Sequence, residues 1–226
     1  MDFMYPFFIV AHRGGKSPYK ENTLEALQHG LKHCGNAVEM DVRFDHLRKR
    51  FYLEHDFLHS PMDNMNVIDK IIPYLPGHAT LFIELKTLYS LRKKYALHFL
   101  KVVEQMELAH RAIIMSFNPF VLIHLKGLAS HLQIGFLLSN RFWGWMFRAW
   151  VYKVLKPQYL MLNKHIFHKK IFLDKMLTFA RIHKLKVLIF TANELEYWQK
   201  VKEYQLDGVI TDYPREACSV IREITH

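Results

Sequence analysis

Thr80-Leu81-Phe82-Ile83-Glu84-Leu85-Lys86 is an apolar run that ends in charge, and its reading decides the fold. A strand with one face in water alternates apolar and polar residues, whereas a strand covered on both faces is apolar throughout. Runs of the same character recur at Phe7–Val10, Ala37–Phe44, Ala112–Ser116, Gln133–Leu138, Gln158–Leu162, Lys186–Thr191 and Gly208–Thr211. Helical stretches lie between them. Leu24, Leu27 and Leu31 stand at helical spacing behind Thr23, which with Glu21 and Glu25 makes a plausible helix start. Further helices are expected from Ser90 to about Met106, from Pro119 to about Ser130, around Arg141–Lys153, over Lys169–His183 and Glu194–Tyr204, and after Pro214.

Phe51–Glu54 follows Ala37–Phe44 through the charged turn Asp45–Arg50 and reads as the second arm of a hairpin. The segment from Phe57 to His78 is rich in Pro, Asn, Asp and His, with one short helix near Val67–Ile72. Counting the hairpin as one unit leaves eight strand–helix steps in 226 residues. That rhythm, with strands too apolar for an exposed sheet, predicts a single domain over residues 1–226 folded as a closed (β/α)8 barrel of the TIM type. A doubly wound open sheet is the alternative. A barrel carries its functional residues at the C-terminal ends of its strands. His12, Asp41, His55, Glu84, Ser116, Asn163, Asn193 and Asp212 all fall at or just after the ends of apolar runs.

Among these, Glu39 and Asp41 are two apart on a strand and so share a face. Two carboxylates on one face repel and resist desolvation unless a positive charge sits between them; a divalent cation with oxygen ligands answers both costs. Glu84, on the same face as Lys86, adds a third carboxylate at a strand end. His12 and His55 are the side chains best placed to move protons near neutral pH. Together with Arg13, this set points to chemistry on an anionic oxygen ester.

The net charge of +10 attracts anions at long range without choosing among phosphate esters, nucleic acid and lipid. The basic residues are scattered and no nucleic-acid motif is present, so nucleic-acid binding is not expected. Cys34 and Cys218 have no zinc-type spacing and read as reduced. With no leader pattern and no apolar run long enough to span a bilayer, the expected location is cytoplasmic.

The ordered series His12-Arg13-Gly14, Glu21-Asn22-Thr23, Glu39-Met40-Asp41, His55-Asp56, Glu84-Leu85-Lys86, Thr191-Ala192-Asn193 and Asp207 to Pro214 resembles the glycerophosphodiester phosphodiesterase family along nearly the whole chain. The resemblance implies a TIM-type barrel and hydrolysis of small-molecule glycerophosphodiesters to glycerol 3-phosphate and an alcohol. It implies Mg2+ or Ca2+ held by Glu39, Asp41 and Glu84, general acid–base catalysis by His12 and His55, and phosphate contacts from Arg13 and Lys86. Phe190 stands where the family generally has Trp, an apolar wall expected to alter head-group fit. Lysophospholipase D-like hydrolysis and a catalytically silent phosphate-binding barrel are the competing readings.

The stretch Arg141 to Lys153 holds three of the four tryptophans. One reading is a barrel helix packed on the sheet. The other is an interfacial helix, with Phe142–Tyr152 touching anionic lipid and bringing the enzyme to membranes where lysophospholipids are candidate substrates.

Overall fold

The computed structural model describes residues 7–32, 36–56, 66–87, 92–138 and 152–223. Nine strands form the sheet: β1 (Phe8–Ala11), β2 (Ala37–Asp45), β3 (Arg50–Leu53), β4 (Thr80–Leu85), β5 (Ala112–Ser116), β6 (Gln133–Leu138), β7 (Tyr159–Asn163), β8 (Lys186–Phe190) and β9 (Gly208–Thr211). Eight of them run parallel, and the pairings β1–β9 and β1–β2 close the ring. The closed barrel expected from the apolar runs is therefore the fold. The remaining strand, β3, pairs antiparallel with β2 outside the ring, from Val42 opposite Leu53 to Asp45 opposite Arg50.

Helices α1 (Leu24–Lys32), α2 (Ile68–Ile71) and α3 (Arg92–Gln105) follow β1, β3 and β4. Beyond them, helices Pro119–Leu128, Lys170–Ile182, Leu195–Glu203 and Pro214–Glu223 complete the outer layer among the described residues. Thr23 begins α1 as expected, its Oγ1 accepting from the Ala26 N–H at 3.4 Å. Of the aromatic stretch Arg141–Lys153, only Tyr152 and Lys153 lie within the described residues. The Tyr152 ring packs on Phe179 and His183, at centroid distances of 5.0 and 4.2 Å. No helix among the described residues is long and apolar enough to cross a membrane.

Because strand side chains alternate, each strand feeds two cores. Leu81, Ile83 and Leu85 of β4 face the helices, while Phe82 joins Phe8, Val10, Ile113, Met161, Leu188 and Ile210 inside the ring. Phe8, Phe82 and Tyr159 meet edge to face there, with centroids 5.4 to 6.2 Å apart. One step up each strand, the same inward series turns polar. Val10 is succeeded by His12, Ala37 by Glu39 and Asp41, Phe82 by Glu84 and Lys86, and Ile210 by Asp212. A dry aromatic floor thus supports a polar layer at the C-terminal mouth.

Phe82 is fully buried on that floor. Phe82→Ala is expected to cost about 3–5 kcal/mol, read from urea unfolding at unchanged slope. A loss below about 1 kcal/mol would mean that the floor repacks rather than holding its shape.

Candidate active site

The β2–β4 register sets Asp41 directly opposite Glu84, and Glu39 one inward step below Asp41. Like charges in that relation repel. One oxygen from each of Glu39, Asp41 and Glu84 lies within 4.8 Å of the others, and all three residues are buried. Burial, reinforced by Asp41 and Glu84, pushes the Glu39 carboxyl up to about 8, although His12 and the Arg13 N–H favour its ionised form. Burial also raises Glu84, with Lys86 opposing. Asp41 goes the other way: burial disfavours its charge, but Lys86, Arg13 and Asn22 outweigh it and hold the carboxyl below its ordinary value.

Two cations answer this charge. Lys86 Nζ is 2.8 Å from Glu84 Oε1 and 3.1 Å from Asp41 Oδ1. Arg13 Nε is 2.9 Å from Asp41 Oδ2, and its Nη1 donates to Glu21 Oε1 at 2.9 Å. These are close ion pairs with imperfect aim, since neither Arg13 Nε nor Asp41 Oδ1 completes a hydrogen bond. Asn22 aligns Asp41, donating from Nδ2 to its Oδ2 at 3.1 Å and accepting its backbone N–H at Oδ1 at 3.0 Å. Three hard carboxylate oxygen donors within 4.8 Å of one another fit a divalent cation.

The turn after β1 makes this possible. Arg13 adopts φ 52°, ψ 25°, and Gly14 follows at φ 94°. A Cβ on Gly14 would lie 2.5 Å from the Ala26 carbonyl carbon, so α1 approaches as closely as only glycine permits. The left-handed Arg13 carries a strain of about 1–3 kcal/mol and aims its N–H at Glu39 Oε2, 3.0 Å away.

His12 sits just past β1 with Nε2 4.0 Å from Glu39 Oε2 and Nδ1 2.6 Å from Asp212 Oδ1. Burial works against a charged imidazole, but Asp212 and Glu39 prevail and raise its pKa. Asp212 is itself fixed by Asn193, which donates from Nδ2 to its Oδ2 and accepts its backbone N–H at 2.9 Å. Asp212 and Asn193 were legible only as strand-end residues and motif members. Their link to His12 joins positions 200 apart in sequence, which no local pattern encodes.

His12, Arg13, Glu39, Asp41, Glu84 and Lys86 therefore converge. His55 stands apart from their ion pairs. It lies past β3, its Nδ1 is 2.8 Å from Asp56 Oδ1, and its carbonyl accepts from Arg43. Glu54, one residue earlier, donates its N–H to the Asp41 carbonyl at 3.1 Å, which tethers this segment to the mouth. Phe190 ends β8 with its ring edge-on to the exposed Phe117 at 5.7 Å, an aromatic wall.

Residues 12–44 and 73–216 match the model of the Glycerophosphoryl diester phosphodiesterase family. The chain is 21% identical over 245 residues to a glycerophosphodiester phosphodiesterase of Caldanaerobacter subterraneus, covering 95% of this chain and 98% of the relative. Its fold resembles a Parabacteroides distasonis glycerophosphodiester phosphodiesterase at TM-score 0.83 and 16% identity, covering 98% of this chain and 100% of that one. It also resembles an Oleispira antarctica phosphodiesterase solved with the product sn-glycerol-3-phosphate, at TM-score 0.73 and 23% identity, over 94% of this chain and 96% of that one.

The shifted groups set a pH dependence for the metal-free protein. Between 4.5 and about 8, Glu39 has lost its proton in the unfolded chain but keeps it when folded, so rising pH favours unfolding. Glu84, also raised, acts in the same direction. His12, raised above 6.5, contributes stability below that value which is lost as pH climbs through its folded pKa. Asp41, lowered from 3.8, acts only in the acid range below that value. Melting in EDTA should therefore show stability falling across the Glu39 interval, and a rise there would contradict the burial of an unneutralised carboxylate cluster.

Proposed function

The chain belongs to the glycerophosphoryl diester phosphodiesterase family and is a phosphoric diester hydrolase, and we propose that it cleaves glycerophosphodiesters to glycerol 3-phosphate and an alcohol with a divalent cation at Glu39, Asp41 and Glu84. The observation that carries this reading is the buried triad itself, with a histidine facing it at 4.0 Å. A cation bound there would neutralise the carboxylates and polarise a non-bridging phosphoryl oxygen.

The chain's own residues supply the rest. His12 keeps Nε2 toward the triad because Asp212 occupies Nδ1, and this orientation suits proton transfer at the ester oxygen. His55, tethered to the mouth through Glu54, is the second acid–base group. Arg13 and Lys86 already face the triad, so a phosphate entering beside it would exchange carboxylate contacts for phosphate oxygens. Both add positive charge where negative charge grows in the transition state. Phe190 and Phe117 would contact the departing alcohol. With Phe117 41% exposed, this wall could instead receive an acyl chain carried on the glycerol side of the phosphodiester, the observation favouring lysophospholipids as a second substrate class.

Glycerol 3-phosphate release from glycerophosphocholine tests the reading. Turnover should stop in EDTA and return with Mg2+ or Ca2+. His12→Ala and His55→Ala should each lower kcat by about 10²–10⁴-fold in a folded protein. EDTA-resistant turnover, or full activity in Glu39→Gln, would refute the metal assignment.

A further inference from the structure

Away from the mouth, the β2–β3 hairpin, α2 and α3 enclose a second cavity of about 220 Å3. Its floor is apolar, from Phe51, Val67 and Ile68, and its rim carries Lys49 and Arg50 from the hairpin with His98 and Lys101 from α3. Among the described residues that line it, the one acid is Asp69. The hairpin is clamped in place: Phe44 stacks on His98 at 5.0 Å, and Phe51 packs on Tyr95 and Phe99 at 5.2 and 5.3 Å. Burial, and then the lysines Lys101, Lys94 and Lys49 nearby, depress the His98 pKa.

The tip beside this cavity is built to project an apolar side chain. Asp45 Oδ1 accepts the N–H groups of Leu47 and Arg48 at 2.9 and 3.2 Å and its Oδ2 pairs with Arg48, which locks the turn. Leu47, which no core contact explains, is left 87% exposed in the middle of it. Cations that repel one another around an apolar hollow, next to a rigidly displayed leucine, match one partner chemistry: a phosphate-bearing head group set above acyl chains. A soluble anion would satisfy the rim alone and leave both the floor and Leu47 unexplained.

We propose that the hairpin and α3 form a docking surface for an anionic lipid membrane, with the cavity receiving a lipid phosphate and Leu47 entering the acyl boundary. The base of the same hairpin carries Asp41, four residues or roughly 13 Å from Asp45, so docking by the tip would hold the mouth close to the lipid surface. The surface shares none of the residues assigned to the triad, the histidines or their partners.

Sedimentation of the full chain with vesicles tests this without reference to hydrolysis. Binding is expected to phosphatidylcholine vesicles containing phosphatidylglycerol, not to phosphatidylcholine alone, and should be lost at high salt. Lys49→Glu with Lys101→Glu should weaken it at least about tenfold, and Leu47→Ser several-fold, while turnover of a water-soluble glycerophosphodiester stays unchanged. Equal binding to both vesicles, or undiminished binding by the folded double variant, overturns the proposal. So does binding of inorganic phosphate that the double variant abolishes, without binding to the anionic vesicles, which would mark the cavity as a soluble-anion site.

Discussion

Asp41 and Glu84 stand directly opposite each other on neighbouring buried strands, and much of the mouth of this barrel is arranged around keeping them there. An opposed pair of carboxylates in a dry interior is unstable without compensation. Lys86 bridges the two from above, Arg13 reaches Asp41 from the β1 turn, and Asn22 holds it from the side. Asn22 takes a left-handed conformation at φ 60° to do so, and Arg13 does the same next door. Backbone strain on one side of the mouth thus maintains charge on the other.

The fold was legible because its signal is redundant. Eight apolar runs with helical spacers admit few arrangements, and the inward-facing alternation that fills the ring also lifts Glu39, Asp41, Glu84 and Lys86 to its mouth. The hairpin was readable for the same reason, as a charged turn between two apolar arms. Strand limits shifted by a residue or so, most visibly at Asn163, which joins β7, and at Asp45, which the ladder with Arg50 draws into β2.

What was hidden depends on contacts between distant residues. Asp212 stood out only as a strand-end acid within a motif, and only the β1–β9 pairing brings it to His12. Lys86 and Arg13 read as ligands for phosphate, yet here they already serve carboxylates; pattern cannot distinguish an anion the protein owns from one it receives. His55 shares the motif but keeps company with Asp56 and Arg43 rather than with the triad. The glycine of His-Arg-Gly had a motif but no visible reason until Ala26 was seen against it.

The ring closes between its first and last strands, and His12 and Asp212 stand on either side of that seam. Histidine orientation is thereby tied to topology. The acidic cluster rests on β2 and β4 and the imidazole follows β1, while the carboxylate that holds the imidazole comes only with β9. Since a domain folds as a unit, the imidazole gains its alignment only as the ring closes. A chain whose last strand failed to pair would keep the carboxylates of β2 and β4 but lose the acid that orients His12.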